Sequence, residues 1–306
     1  MKRKIKVLYV TAEAAPYAQA GGLGEVGAAL PDALTETGEA EVRRVMPLYK
    51  GIAGKKKYEK DFPVPMGEGF ETCVLKTDPE NKKVPTWFIG NDRYFYRNGI
   101  YGWEDDGVRF FFFCRAVAGM LKSLSWKPDI LHLNDWHTGF LPLLIKKELP
   151  RIKTVYTIHN IAYQGFIPAS LIPGPVSDRE LVQLGWPEWL NFMKAGILYS
   201  DRVTTVSPTY SREIRQKGMG SGMEPYLKRK QDGVRGILNG IDTTRYHPSG
   251  DGVQPYPYDA GSATENKKRN RSALRKEYGL PDGDFPLLSM IGRWYPEKGI
   301  DLVAEL

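Results

Sequence analysis

The stretch Tyr17-Ala18-Gln19-Ala20-Gly21-Gly22-Leu23-Gly24-Glu25-Val26 decides how the rest of this sequence is read. Before it lies a short apolar strand, Ile5 to Val10; after it, Val26, Leu30, Ala33 and Leu34 recur on one helical face. A strand, a glycine-rich loop and a helix let the backbone approach a ligand closely and turn free N–H groups toward negative charge. That order predicts a ligand bearing phosphate, against the competing reading of a tight turn with no ligand. Gly22, Gly24 and Gly27 also satisfy Gly-x-Gly-x-x-Gly, the dinucleotide fingerprint. That fingerprint opens directly after its strand, whereas eleven residues, Thr11 to Gly21, separate Val10 from Gly22. The spacing argues against NAD and leaves another phosphorylated ligand open.

The 306 residues are enough for about two domains, and 42% hydrophobic with 26% charged residues is an ordinary globular composition. Two cysteines, Cys73 and Cys114, are too few for a disulfide framework and point to a reducing, cytoplasmic setting. The basic start Met1-Lys2-Arg3-Lys4 is followed by a short apolar run broken by Lys6, which is a strand and not an export signal. The run from Phe110 to Leu121 contains Arg115 and is too short to span a bilayer, so no membrane partner is expected. The charge of +7 is scattered, with 43 basic against 36 acidic residues. Small clusters at residues 55–57, 228–230 and 267–269 read as solvated faces and not as a nucleic-acid surface, while an anionic small ligand suits the balance equally well.

Going outward along the chain, Glu41 to Pro47 reads as a second strand, and Phe70 to Lys76 with Val84 to Ile89 as an inserted meander. Asp106 to Leu124 has helical periodicity with apolar residues on two faces. Strands are expected at 128–133, 153–158, 202–206 and 234–238, and helices at 139–148, 191–199 and 209–216. Such alternation predicts a doubly wound, mostly parallel α/β sheet, whose ligands bind beyond the carboxyl ends of the strands. The glycine loop, Asp135-Trp136-His137, His159-Asn160, Ser207 and Asn239 all fall at that edge. Each alone reads as a structural polar residue; five on one edge read as a cleft. Residues 1–247 form the expected first domain, 248–266 a Gly/Pro/Ser-rich linker, and 267–306 the start of a second domain. In that second part a helix is expected at 267–278 and a strand at 285–291, with Arg293 to Gly299 leading into a last helix. Two helices and one strand cannot bury a core unaided, so this second domain reads as incomplete.

With these marks in place the chain resembles the bacterial glycogen synthases and plant starch synthases, retaining glucosyltransferases with two facing Rossmann-like domains (the GT-B type). The resemblance rests on Gly21 to Val26, Pro128 to His137, Tyr156 to Gly165, Ala195 to Pro208, Leu238 to Asp242 and Arg293 to Leu302, in family order along the whole chain. It implies transfer of glucose from ADP-glucose, or UDP-glucose in some relatives, to the non-reducing 4-hydroxyl of an α-1,4-glucan with retention, without metal or other cofactor. It further implies catalytic roles for His159, near the transferred sugar, and for Asp135. Arg293 and Lys298 are implied as the cations on the leaving diphosphate, with Gln19, Gly21, Gly22, Asn160 and Asn239 at the nucleotide-sugar donor. Breaking a glycosyl–diphosphate bond builds negative charge on the leaving group and an oxocarbenium-like sugar, which fixed cations stabilise. No carboxylates are paired for double displacement, which favours a front-face course.

Two departures stand out. The family places a donor-contacting lysine where this chain has Gln19, which removes a charge-assisted contact, and an aspartate where it has Glu25. The family's remaining C-terminal half is absent from the 306 residues, so this chain alone is expected to transfer little glucose. The alternatives are a non-catalytic glucan-binding module, in which Trp103, Trp126, Trp136, Tyr163 and Trp186 stack on sugars, a relative using another sugar donor, and a nicotinamide oxidoreductase.

Overall fold

A computed structural model of the chain describes residues 3–52, 54–172, 178–185, 188–230, 232–250, 252–292, 294 and 298–305. It divides into two compact units, residues 1–240 and 241–306.

Nine strands of the first unit share one sheet. They are β1 (Ile5–Val10), β2 (Ala40–Pro47), β3 (Lys57–Met66), β4 (Gly69–Thr77), β5 (Thr86–Gly90), β6 (Ile130–Asn134), β7 (Lys153–Ile158), and, further on, the strands Arg202–Thr205 and Val234–Gly236. Between β7 and those last two, β8 (Phe166–Pro168) and β9 (Trp189–Asn191) form a separate two-stranded ribbon, so the last two are β10 and β11. The order across the sheet is β11-β10-β7-β6-β1-β2-β5-β4-β3. All pairs from β11 to β5 are parallel, and only the β5-β4-β3 edge is antiparallel. This is the doubly wound, mostly parallel sheet expected. The unexpected member is β3, whose Pro63 and Pro65 break the strand signature; as an edge strand it leaves one side unpaired, which is where proline is tolerated.

Alternation along β1 builds two apolar layers. Leu8 and Val10 point into the larger core, while Val7 and Tyr9 join Ala40 and Val42 under Leu30 and Leu34 of the helix Gly22–Glu36. The helix Asp106–Ser123 lies inside the larger core, with Phe110, Phe111, Phe112 and Phe113 all fully buried. It is enclosed on nearly all sides, beyond the two apolar faces read from its periodicity. Each buried phenylalanine contributes roughly 1.5–3 kcal/mol.

Because β1, β6, β7, β10 and β11 run parallel, their carboxyl ends share one edge, which carries the loop after Val10, Asp135 to Thr138, His159-Asn160 and the turns at Ser207 and Asn239. Among the described residues no helix is long and apolar enough to cross a membrane.

In the second unit the helix Ala263–Glu277 starts four residues before the expected Lys267. Arg275 is buried against the Phe285 ring, 4.1 Å from its centroid, and donates to the carbonyls of Pro281 and Phe285. The strand expected at 285–291 does not form: those residues pair with no other strand, and Leu288 and Ile291 stay exposed. An apolar strand gains its ladder bonds only from a neighbour, and none is offered among the described residues of this unit. The last helix is Ile300–Ala304.

Candidate functional site

Asp135, the first residue after β6, sits at φ 54° and ψ −177°, a backbone conformation that a side chain strongly disfavours. It is held there from several sides. Its N–H donates to the Thr157 carbonyl at 2.9 Å, and its carbonyl accepts from Thr138. Its Oδ1 accepts the backbone N–H groups of His159 (2.7 Å) and Asn160 (3.3 Å). The carboxylate thus ties the end of β6 to the turn that follows β7. Burial raises the Asp135 pKa, and the nearby His159 ring and the two amide bonds offset that only in part.

The His159 ring is set by Asn134. The Nδ2 of Asn134 donates to the Val10 carbonyl (3.0 Å), which turns its Oδ1 toward Tyr9 and His159. That oxygen accepts from the Tyr9 hydroxyl and from His159 Nε2, each at 3.0 Å. Facing an acceptor, His159 Nε2 carries a proton, and Nδ1 is left as the ring's free lone pair in the neutral form. Asn160 is a turn residue as well, its Oδ1 accepting from the Ala162 N–H at 3.0 Å.

Sequence reasoning missed Glu13. It is 4% exposed, and its Oε2 accepts the N–H groups of Ala20 (2.6 Å) and Gly21 (2.9 Å), fixing the start of the glycine loop. Its Oε1 accepts from the Tyr101 hydroxyl at 2.7 Å. The Tyr101 ring stacks on His137 with centroids 4.8 Å apart, and Trp136 and Phe110 complete the surround. His137 Nδ1 is buried and has no hydrogen-bond partner among the described residues. Burial, then the Arg109 and His159 charges, push the His137 imidazole down to about 3, so the ring is neutral near pH 7. No side-chain motif in the sequence marks Glu13, because two of its three partners are backbone N–H groups.

The glycines divide by role. A Cβ on Gly27 would lie 2.2 Å from the Glu13 carbonyl oxygen and one on Gly24 2.6 Å from Gln19 Cγ, so these two allow close packing of the helix on the loop. Gly21 and Gly22 face open space. Gln19 is exposed, and its Nε2 donates to Glu25 Oε1 at 2.8 Å. Ser207 is accounted for structurally, since it caps the helix Pro208–Glu213 by accepting from Thr209 and Tyr210. Asn239 is exposed beyond β11.

The structure therefore brings Asp135, His159 and Asn160 into direct contact, and Glu13 links Gly21 to His137 beside them. Lys298 is exposed in the second unit, and Arg293 lies outside the described residues. Of the aromatics, Trp126 and Trp136 are core side chains, Trp103 and Tyr163 are partly exposed, and Trp186 lies outside the described residues. No group of three or more metal-ligating side chains is found among the described residues.

Comparison with known proteins identifies relatives along the whole chain. A family model described as the starch synthase catalytic domain matches residues 6–229. The glycogen synthase of Moorella thermoacetica is 40% identical over 317 aligned positions, covering 100% of this chain and 64% of that protein. That of Clostridium perfringens is 39% identical, with 99% and 65% covered. Among solved structures, the catalytic domain of starch synthase IV from Arabidopsis thaliana, bound to ADP and acarbose, superposes with a TM-score of 0.84 at 32% identity, covering 99% of this chain and 65% of that one. The chain spans about 64–65% of the length of these relatives. With its sheet, its glycine loop and most of its length matched, the chain belongs to the starch synthase catalytic domain family.

Proposed function

We propose that this chain supplies the glucan-side part of a retaining glucosyltransferase that moves glucose from ADP-glucose to the non-reducing 4-hydroxyl of an α-1,4-glucan. The observation that carries the reading is the bonding of Asp135, His159 and Asn160 at the carboxyl edge of the sheet, beside the loop fixed by Glu13. The glycogen synthase relatives and the ADP and acarbose bound to the starch synthase IV relative support the substrate pair, with adenosine favoured over uridine.

In this reading His159 contacts the transferred sugar, and Asp135 positions it by holding its backbone. Gln19, Gly21, Gly22, Asn160 and Asn239 meet the donor, and Arg293 and Lys298 receive the developing diphosphate charge. Both acidic side chains of the site, Glu13 and Asp135, are occupied by backbone N–H groups. Neither is offered as the nucleophile of a double displacement, which favours attack and departure on the same face of the sugar. His137, neutral and enclosed by Tyr101, Trp136 and Phe110, supports this edge from beneath by ring packing. In the same proposal residues 1–247 form the first domain, 248–266 a linker and 267–306 part of the nucleotide-binding domain of a cytoplasmic protein.

The test is incorporation of radiolabelled glucose from ADP-glucose into glycogen, by this chain and by this chain joined to the C-terminal third of the M. thermoacetica relative. Transfer by the joined protein, abolished by His159→Ala, supports the reading. A folded joined protein that transfers nothing, beside an active relative, contradicts it.

A further inference from the structure

Outside this site, two large aromatic side chains stand half exposed on a small surface ribbon. In the β8–β9 pair Ile167 lies opposite Leu190, and both are fully buried. Cross-strand partners share a face and neighbours along a strand alternate. Phe166 and Pro168 on one strand and Trp189 on the other therefore turn away from that core. Phe166 is 52% exposed and Trp189 53%. Phe166 pairs with Asn191 and Pro168 with Trp189, which makes the two aromatic positions diagonal neighbours, about 7–8 Å apart. Clustered exposed rings of this kind mark binding surfaces.

The ribbon is continuous with the candidate site. The chain runs from His159 through Tyr163, 48% exposed, straight into β8. Gly165, at φ +65°, presses its backbone onto Trp136: a Cβ there would fall 1.9 Å from the ring. The Gly165 carbonyl accepts from the Phe192 N–H at 3.0 Å, and Asn191 Nδ2 donates to Gln164 Oε1 at 2.6 Å. The ribbon is therefore fixed to the residue beside His137. Its six residues, Phe-Ile-Pro and Trp-Leu-Asn, carry no charge, which fits a neutral occupant and not a phosphate or an acidic peptide. Pyranose rings offer flat C–H faces to aromatic rings and hydroxyls at their rims.

We propose that Phe166 and Trp189 form a stacking platform that holds an α-glucan chain several sugars away from its reacting end. The proposal rests on the glucan reading of the site and adds to it a preference for long over short chains.

The 306-residue chain is titrated with maltose and with maltoheptaose, followed by calorimetry and tryptophan fluorescence, in the wild type and in Phe166→Ala, Trp189→Ala and Trp189→Phe. Each alanine variant is expected to weaken maltoheptaose binding by about tenfold and to leave maltose unchanged, while Trp189→Phe retains most of the affinity. Both positions are on the surface, and circular dichroism verifies the fold of each variant. Wild-type maltoheptaose affinity in both alanine variants overturns the platform and leaves the glucan reading standing. A wild type that binds no α-glucan overturns both. Self-association lost in the alanine variants, with glucan affinity unchanged, assigns the patch to a second copy of the chain and overturns the platform.

Discussion

The two edges of the central sheet use the same device for different ends. At the amino edge Asp129 accepts from the Lys6 N–H and from Arg3, and Asp201 accepts the Thr154 N–H and hydroxyl and pairs with Lys153. At the carboxyl edge Asp135 accepts two backbone N–H groups in the same way. The surroundings differ. Asp201 keeps 40% of its side chain exposed; burial raises its pKa, but the Thr154 and Lys153 bonds outweigh that and hold it below the ordinary carboxylate range. Asp135 is 8% exposed, burial wins, and its backbone is forced to a positive φ. One aspartate staples strands; the other stores strain and an incompletely compensated charge, the pattern of a site shaped for a ligand.

The comparison breaks most visibly at Asp135. Asp135→Ala releases the His159 turn and should cost at least about a hundredfold in glucosyl transfer by the joined protein, since misplacing a reacting group by an ångström costs that much. Asp135→Asn keeps an acceptor oxygen for both N–H groups and should retain most of the activity. Equal loss in the two variants would show that the charge itself is required. Thermal unfolding sharpens the contrast: Asp135→Asn removes a buried charge and should not lower stability near pH 7.

The same burial bears on His137. Its folded pKa of about 3 lies below the unfolded value of about 6.5, so the unfolded state binds the extra proton first. Stability attributable to this ring is present above pH 6.5 and is lost as pH falls toward 3, by about 1.4 kcal/mol per pH unit within that window. Urea unfolding between pH 7 and 4 should show a shallower decline for His137→Phe than for the wild type; parallel curves would exclude the burial effect. At the other edge, Asp201→Ala should cost only about 1 kcal/mol, because its bonds are half exposed, and should leave glucan binding unchanged by calorimetry. The smallest effect is expected at Gln19. If Gln19 meets the donor as proposed, Gln19→Lys adds a charge-assisted contact and should tighten nucleotide-glucose binding about threefold in the joined protein, and no gain in a titration would remove that explanation for the departure.

Much of this was legible in the residues. Ile5–Val10 and Lys153–Ile158 formed as read, because short segments rich in β-branched and aromatic residues between polar turns leave few alternatives to a strand. Asp135, His159 and Asn160 could be placed on one edge from strand order alone. Their mutual bonding could not, since it depends on a strained dihedral at Asp135 and on the amide orientation of Asn134. Glu13 escaped notice because its partners are backbone N–H groups, which no side-chain motif advertises. β3 was hidden by Pro63 and Pro65. The strand read at 285–291 failed because a strand is defined by neighbours that the described residues of this unit do not provide.

The chain has four histidines, which makes their ring signals a direct reporter. The decisive measurement is proton–nitrogen NMR of histidine-labelled protein during titration with maltoheptaose. A sugar site at the carboxyl edge predicts that the His137 and His159 signals move together with one dissociation constant while His247 stays still. Signals of His137 and His159 that remain fixed as glucan binds would contradict it.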